Sequence, residues 1–347
     1  MLDAILKEIG LRKDYLRTKE VRTIYFGGGT PSLLSEGEID QIINEIHRHF
    51  SIDPKAEITL EANPDDLDKL TIKGLKDSAV NRLSIGVQSY FDEDLRWMNR
   101  AHLASQSEIA IKSAQDTGLE NITVDLIYGY PLLTDDKWRS NIQRTVDLNI
   151  PHISCYSMTV EPETALDAFI KKGKQVPLDD AKSAAQFMML MEKLDENGYE
   201  HYEISNFAKA GMYSQHNTNY WRGTAYLGIG PSAHSFDFKS RQWNVANNQK
   251  YVTALEQNNI PAEVEILTQK DKLNEYIMTS LRTMWGLDVQ YIRENFSGAA
   301  AEAVKNEASP FLSKKWLSTA DDTYRLTLDG KLYADHIASQ LFVEDEF

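Results

Sequence analysis

Up to residue 204 the chain alternates short runs of β-branched and aromatic residues with longer amphipathic stretches. The short runs predict strands and the amphipathic stretches predict helices. This rhythm is typical of right-handed parallel βαβ units, either closed as a barrel or open as a doubly wound sheet. We therefore expect an α/β fold on a parallel sheet. The predicted elements are helix 2–19, strand 22–26, helix 35–50 with a capping box at its start, strand 57–61, a helix ending near 78, strand 82–87, two short helices up to 118, strand 122–128, helix 135–148, strand 152–157, helix 178–196 and strand 199–204.

The alternation stops beyond residue 204. Residues 214–248 are rich in Asn, Gly, His, Tyr and Trp and predict irregular loop. Helices are expected over 270–285 and 298–308, followed by a strand, an Asp321-Asp322 turn, a second strand and a final helix to 341. Helices followed by a hairpin predict a small winged-helix-like α+β domain. We expect a barrel-like domain over 1–210, a connecting segment over 211–265 and a C-terminal domain over 266–347.

Composition excludes several classes of function. Lys and Arg number 37 against 52 Asp and Glu, a net charge of −15, and the predicted hairpin region is also acidic, so nucleic acid is not expected as a partner. No run of about 18 apolar residues predicts a membrane helix, and the first residues lack the pattern of a signal peptide. Cys155 is the only cysteine, which excludes an internal disulfide and favours a reducing cytoplasm.

Polar and glycine residues occur where the predicted strands end. In parallel βα architectures this edge of the sheet carries the active site. The alternative is that such residues only begin the loops that follow the strands. The residues in question are Gly27 to Thr30, Glu61, Gln88, Asp125 and Thr159.

The three glycines at 27–29 would let a ligand approach bare backbone. The run is neither a Walker A loop nor a dinucleotide fingerprint, because the required Gly-Lys-Ser/Thr and G-x-G-x-x-G are absent. Glu61, Gln88 and Asp125 suit a ribose diol or an amino group. Arg100 suits a carboxylate, with a surface ion pair as the alternative.

A second candidate site is the segment His216-Asn-Thr-Asn-Tyr-Trp221, which combines an imidazole with aromatic rings. A histidine of this kind could ligate a haem iron while an aromatic ring stacks on the porphyrin. The alternative is a hydrogen-bonded, partly buried histidine in a loop.

Several strings resemble one family closely, the radical S-adenosylmethionine proteins related to oxygen-independent coproporphyrinogen III oxidase. They are Tyr25-Phe-Gly-Gly-Gly-Thr-Pro-Ser32, Glu61-Ala-Asn-Pro64, Arg82-Leu-Ser-Ile-Gly-Val-Gln-Ser89, Asp125-Leu-Ile-Tyr-Gly-Tyr-Pro131 and Tyr156-Ser-Met-Thr-Val-Glu-Pro162. The string at 216–221 resembles the His-Asn-x-x-Tyr-Trp signature of the haem chaperone branch, HemW. Arg325-Leu-Thr-Leu-Asp-Gly-Lys331 resembles the family's C-terminal domain.

The resemblance implies a partial six-stranded (β/α) barrel that binds S-adenosylmethionine at the carboxyl ends of its strands. Gly28, Gly29 and Thr30 would contact the methionine end through backbone groups, and Arg100 would pair with its carboxylate. By the same resemblance, Glu61, Gln88 and Asp125 would contact amino or ribose groups, Thr159 would lie against the nucleoside, and His216, Tyr220 and Trp221 would hold haem as cargo.

The sequence departs from the family at the 4Fe-4S cluster. The family's cluster is held by a C-x-x-x-C-x-x-C loop between its first strand and first helix, whereas this sequence starts at that helix. We expect an N-terminal truncation or a start assigned at the wrong Met, rather than a degenerate relative. As written, the chain is expected to lack radical chemistry, and Cys155 is not expected to replace the missing ligands.

The leading hypothesis is a haem chaperone that delivers haem to a haem protein of the respiratory chain, with docking on a membrane protein as one route. The alternatives are a coproporphyrinogen III oxidase and an inactive scaffold that binds neither cofactor. The acidic charge argues against electrostatic binding to anionic lipid.

Overall fold

The structure is a computed structural model that describes residues 1–344. The chain divides into two compact units. The first contains Met1–Ile24, Leu34–Glu57 and the chain from Gln215 onwards. The second contains Tyr25–Leu33 and Ile58–Ser214.

Fifteen helices and thirteen strands lie within the described residues. The helices are α1 Leu2–Leu11, α2 Glu36–His49, α3 Lys69–Asp77, α4 Asp92–Trp97, α5 Ala104–Asp116, α6 Asp135–Asp147, α7 Ala165–Lys171, α8 Asp180–Glu196, α9 Gln215–Trp221, α10 Asn248–Glu256, α11 Gln269–Leu281, α12 Val289–Asn295, α13 Gly298–Ser313, α14 Leu328–Lys331 and α15 Ala334–Gln340. The strands are β1 Glu20–Phe26, β2 Ser51–Ala62, β3 Arg82–Gln88, β4 Ile122–Tyr128, β5 His152–Ser157, β6 Glu200–Glu203, β7 Asn206–Ala208, β8 His234–Phe236, β9 Ser240–Asn244, β10 Ala262–Ile266, β11 Leu287–Asp288, β12 Leu317–Ala320 and β13 Thr323–Leu326.

The largest sheet has the strand order β1-β2-β3-β4-β5-β7-β6. Strands β2 to β5 pair in parallel, which confirms the α/β class expected from the alternation. The predicted bounds of β4 and β5 are also confirmed, and most residues of both strands are buried. The parallel series ends at β7, which pairs antiparallel with both β5 and β6.

Three predictions of local structure in this region were wrong. The first helix ends at Leu11 rather than at residue 19. Strand β7 was missed because three residues are too short to show a period of two. Helix α7 was missed because none of its residues is buried, so it carries no apolar stripe. The predicted capping box of α2 is present, with Glu38 accepting from the Ser35 N–H at 2.9 Å.

The first unit contains two smaller antiparallel sheets, β10-β9-β8 and β11-β13-β12. The second of these shares an apolar core with α11, α12, α13 and α15. The predicted turn between β12 and β13 is confirmed. Asp321 and Asp322 have φ of 51° and 55°, the left-handed pair that a two-residue hairpin requires. The prediction of irregular loop over 214–248 was wrong, because that segment contains α9, β8 and β9.

A buried carboxylate anchors α1 within the first unit. Glu8 is fully buried and accepts hydrogen bonds from the Gly230 N–H at 2.8 Å, from Asn244 Nδ2 at 2.8 Å and from the Tyr251 hydroxyl. The Arg12 guanidinium, one turn along α1 and also buried, lies 3.4 Å from the same carboxylate. A buried charge is tolerated only when its hydrogen bonds are made, so this network specifies how α1 docks.

We predict that Glu8→Ala destabilises the protein strongly. The substitution removes the buried carboxylate that Arg12 and three other donors share, although Arg12 keeps Gln242 and Asn244 keeps the Gly230 carbonyl as acceptors. Removing one partner of a buried ion pair costs about 3–5 kcal/mol. Urea denaturation followed by circular dichroism measures the change. Glu20→Ala is the matched control, because it removes a solvent-exposed pair with Arg22 that is worth less than about 1 kcal/mol. Equal losses in the two variants would contradict the prediction.

Candidate functional site

The glycine run after β1 is braced by a carboxylate from the end of β2. Gly28 and Gly29 have φ of 76° and 60°, a backbone region that glycine enters without strain. The Gly28 N–H donates to Glu61 Oε2 at 3.0 Å, and the Tyr25 hydroxyl donates to Glu61 Oε1 at 2.7 Å. A Cβ added at either Gly28 or Gly29 would meet open space. The loop therefore presents backbone to a ligand, and Glu61 holds its shape.

The end of β3 places an amide beside a guanidinium. The pairing of β3 with β4 shifts register before Gln88, and Gln88 has φ of 65°, a costly conformation for a residue with a side chain. A Cβ added at Gly86 would lie 3.0 Å from Gln88 Nε2 and 3.2 Å from Arg100 Nη2, so both groups converge over this glycine. Arg100 Nη2 also donates to Asn63 Oδ1 at 2.9 Å. Arg100 thus belongs, with Asn63 and Gln88, to a group of polar residues where the parallel strands end, which we call the strand-end cluster, rather than to a surface ion pair.

Asp125 on β4 lies in a row of polar side chains that crosses the sheet. The Ser84 hydroxyl donates to Asp125 Oδ2 at 3.2 Å, and Asp125 is the register partner of Ser154 on β5. Burial raises the pKa of Asp125 to about 7, the negative charge of Glu61 adds to the rise, and the hydrogen bond from Ser84 opposes it. A buried carboxyl group whose pKa is raised towards neutrality is typical of a functional site.

The two threonines predicted for this site lie at its edges. The Thr30 carbonyl accepts from the Leu33 N–H at 3.1 Å and begins the turn that follows the glycine run. Thr159 lies beyond the end of β5, where its hydroxyl donates to Glu161 at 3.2 Å.

Tyr25, Asn63 and Ser84 belong to this cluster but were not predicted as site residues. Asn63 follows Glu61 by two residues, and Ser84 precedes Gln88 by four. Since side chains of extended backbone alternate between faces, the spacing of Asn63 from Glu61 was a signal that could have found Asn63. The register shift between Ile85 and Gln88 breaks the alternation in β3, so spacing from Gln88 could not have found Ser84. Tyr25 gave no signal, because an aromatic residue is ordinary in a strand.

The family resemblance implies two bound groups, S-adenosylmethionine and an iron–sulfur cluster, and these residues fit the first of them. The open glycine backbone, the Arg100 guanidinium and the polar row suit the amino, carboxylate and hydroxyl groups of S-adenosylmethionine. An iron–sulfur cluster does not fit this sequence, whose one cysteine, Cys155, is 1% exposed. Burial and then the charge of Asp125 hold the pKa of its thiol well above the ordinary value, whereas cluster ligation needs a thiolate.

The second candidate site, in the first unit, is built on the short helix α9. Its first two N–H groups, of Gln215 and His216, donate to the carboxylate oxygens of Glu57 at 3.0 and 2.9 Å. Glu57 is 4% exposed. The His216 ring Nδ1 lies 3.2 Å from the Thr23 hydroxyl of β1. Burial lowers the pKa of His216 and Glu57 opposes this, so the imidazole is held neutral at pH 7.

The aromatic residues of α9 divide between two surroundings. Tyr220 follows His216 by four residues and therefore lies on the same helix face, with 49% of its surface exposed. Its ring contacts Trp221 edge-on at 5.2 Å. The Trp221 ring lies under the Arg282 guanidinium at 5.0 Å, at the end of α11. The structure thus places His216 and Tyr220 on one face, whereas Trp221 packs against α11.

Residues 1–344 lack two features. No helix in that range has both the length and the apolar character needed to cross a membrane. Across the same residues, no three His, Cys, Asp or Glu side chains are grouped as a metal site would require.

Two family models match the sequence. The Radical SAM superfamily model matches residues 3–144, and the HemN C-terminal domain model matches residues 267–333. Several curated relatives are each described as heme chaperone HemW. The protein of Lactococcus lactis subsp. lactis is 30% identical, over 99% of this chain and 90% of its own length. Those of Bacillus subtilis and Escherichia coli are 31% and 30% identical, over 92% and 95% of this chain and 84% and 86% of their own lengths.

One solved structure covers almost all of the chain. It is coproporphyrinogen III oxidase (HemN) from Escherichia coli, with a TM-score of 0.84, 22% sequence identity and coverage of 99% of this chain and 82% of that chain. The match confirms the expected partial-barrel α/β fold.

We predict that Asp125→Asn stabilises the protein at pH 8 but not at pH 4. The raised pKa means that the native state binds a proton more readily than the unfolded state, so wild-type stability falls as pH rises from about 4 to about 7. The asparagine variant does not titrate and should be more stable at pH 8 by up to about 4 kcal/mol, since each pKa unit corresponds to about 1.4 kcal/mol. Urea denaturation at the two pH values measures the difference. Asp136→Asn, an exposed control, should change stability by less than about 0.5 kcal/mol at either pH. A pH-independent effect at position 125 would count against the prediction.

Proposed function

The chain belongs to the HemW family of haem chaperones within the radical SAM superfamily, and on that premise we propose that it binds haem and passes it to a haem protein. The proposal rests on one observation in the first unit. His216 is anchored at the start of α9 by a buried carboxylate, and the exposed ring of Tyr220 shares its helix face.

This arrangement suits haem as cargo for two reasons. A neutral imidazole has the lone pair that binds haem iron. An exposed tyrosine ring one turn away offers a flat apolar surface to the porphyrin while its hydroxyl stays in water. The backbone hydrogen bonds to Glu57 hold the start of α9 in place, so the ligand is presented without further ordering of the helix.

We predict that His216→Ala weakens haem binding by at least about tenfold, a loss of about 1.4 kcal/mol or more, because it removes the axial ligand. A titration followed at the haem Soret band measures the dissociation constant and the change in ligation together. His234→Ala is the matched control, since His234 is an exposed histidine of the same unit, on β8.

The control variant should bind haem like the parent chain. If His216→Ala also binds like the parent, with an unchanged spectrum, the proposed haem site is wrong.

For the second unit we propose S-adenosylmethionine as the ligand of the strand-end cluster. Gly28, Gly29 and Thr30 would bind its methionine end through backbone groups, and Arg100 would pair with its carboxylate. Gln88, Glu61 and Asp125 would contact its amino or ribose groups. Thr159 would lie against the nucleoside. The convergence of Gln88 and Arg100 over Gly86 supports this assignment, because a planar guanidinium beside an amide can hold a carboxylate.

We predict that Gly86→Ala lowers the affinity for S-adenosylmethionine by about tenfold, which corresponds to about 1.4 kcal/mol. The added methyl group would displace the Gln88 amide and the Arg100 guanidinium, which lie 3.0 and 3.2 Å from it. Equilibrium dialysis with labelled S-adenosylmethionine measures the affinity. Gly37→Ala is the control, because a Cβ there meets no atom within 4 Å. Undiminished binding by Gly86→Ala, or no saturable binding by the parent chain, would refute the assignment.

The partner follows from the cargo. We infer that a haem-accepting protein, of the kind that respiratory chains contain, docks on this chain in the cytoplasm, and that docking on a membrane protein is one route of delivery. The single cysteine supports a reducing compartment. Neither a coproporphyrinogen III oxidase activity nor a scaffold without cofactor is favoured by a specific feature of the site.

A further inference from the structure

Outside the 216–221 segment, His216 has a polar partner that the sequence did not suggest. The Thr23 hydroxyl lies 3.2 Å from Nδ1 of the His216 ring, and both residues are partly buried. Thr23 is near the middle of β1, in a strand that pairs with β2. The hydroxyl is therefore held by the backbone of a sheet rather than by a loop.

This contact distinguishes the two ring nitrogens. While the Thr23 hydroxyl occupies the direction of the Nδ1 lone pair or proton, iron cannot approach that nitrogen. If His216 ligates iron, it therefore does so through Nε2. A histidine that ligates through Nε2 carries its proton on Nδ1, and that proton needs an acceptor. The hydroxyl oxygen of Thr23 is an acceptor at the required distance.

The backbone of His216 is restrained from a second direction. Its N–H donates to Oε1 of the buried Glu57 at 2.9 Å, so β2 holds the main chain and β1 holds the ring. Outer hydrogen bonds of this kind orient metal-ligating histidines and increase their strength as donors.

We propose that Thr23 is a positioning residue for haem: its hydroxyl accepts the Nδ1 proton of His216, which selects the tautomer that offers Nε2 to the iron and fixes the plane of the ring. The inference rests on the proposed haem function and assigns a role to a residue outside the 216–221 segment. Thr23 itself does not touch the cargo.

The test compares Thr23→Val with Thr23→Ser. Valine keeps the shape of threonine and suits a strand, but it has no hydroxyl. Serine keeps the hydroxyl and loses a methyl group. Haem affinity is measured by Soret titration, and the strength of the iron–histidine bond by the Fe(II)–histidine stretching frequency in resonance Raman spectra of the ferrous complex.

Thr23→Val should weaken haem binding by about tenfold or more and lower the stretching frequency, because the imidazole loses its acceptor and becomes a weaker donor. Thr23→Ser should restore most of the affinity and the parent frequency. Thr323→Val, a partly exposed strand threonine on β13, is the matched control and should change neither quantity. Circular dichroism checks that each variant folds like the parent chain.

The outcomes separate this inference from the function it rests on. If His216→Ala abolishes haem binding but Thr23→Val keeps the parent affinity and frequency, the role of Thr23 is refuted and the haem function stands. If affinity falls equally in the valine and serine variants with the frequency unchanged, Thr23 acts through packing alone and the proposal is wrong. If His216→Ala binds haem normally, both the function and the inference fail.

Discussion

The strand-end site depends on the parallel backbone pairing of β2, β3, β4 and β5. This pairing brings four carboxyl ends to one edge of the sheet, so residues distant in sequence become neighbours at a common level. Glu61 is the register partner of Ser84, the Ser84 hydroxyl reaches Asp125, and Asp125 is opposite Ser154. The same pairing sets two carboxylates against each other in a poorly hydrated place. Such repulsion is unfavourable for folding, and the proposed ligand, with its amino and hydroxyl groups, would supply the hydrogen bonds that offset it.

Much of this architecture could be predicted because the elements that form it carry strong local signals. Strands β4 and β5 carry buried apolar residues at alternate positions, and their bounds were predicted to the residue. Helix α2 carries its own start signal in Ser35 and Glu38. Two of the elements that were missed, β7 and α7, have weak signals for a physical reason. One is too short for any periodicity, and the other is a helix that buries none of its residues.

The candidate sites were predictable to different degrees. Residues at strand ends could be found by position, and the structure describes Gly28 with Glu61, and Gln88 with Arg100, as close neighbours. The surroundings of His216 could not be found in this way. Its helix is stabilised by Glu57, 159 positions away along the chain, and its ring contacts Thr23, 193 positions away. Threonine in a strand and glutamate before a buried run are both common, so neither indicates a tertiary contact. Only the folded chain shows that the histidine has a second layer of hydrogen bonds.

Cys155 allows transient opening of the large sheet to be measured by chemical labelling of a thiol. Its thiol lies within β5, almost wholly inaccessible, and it is the only thiol in the sequence. A thiol-specific reagent can therefore modify the native chain only during openings that expose Cys155. Under conditions where reclosing outpaces the chemistry, the labelling rate divided by that of a free thiolate gives the opening equilibrium directly. Labelling of Cys155 thus reports the transient opening that exposes β5. A cysteine introduced on the surface could also be labelled selectively while Cys155 remains in place.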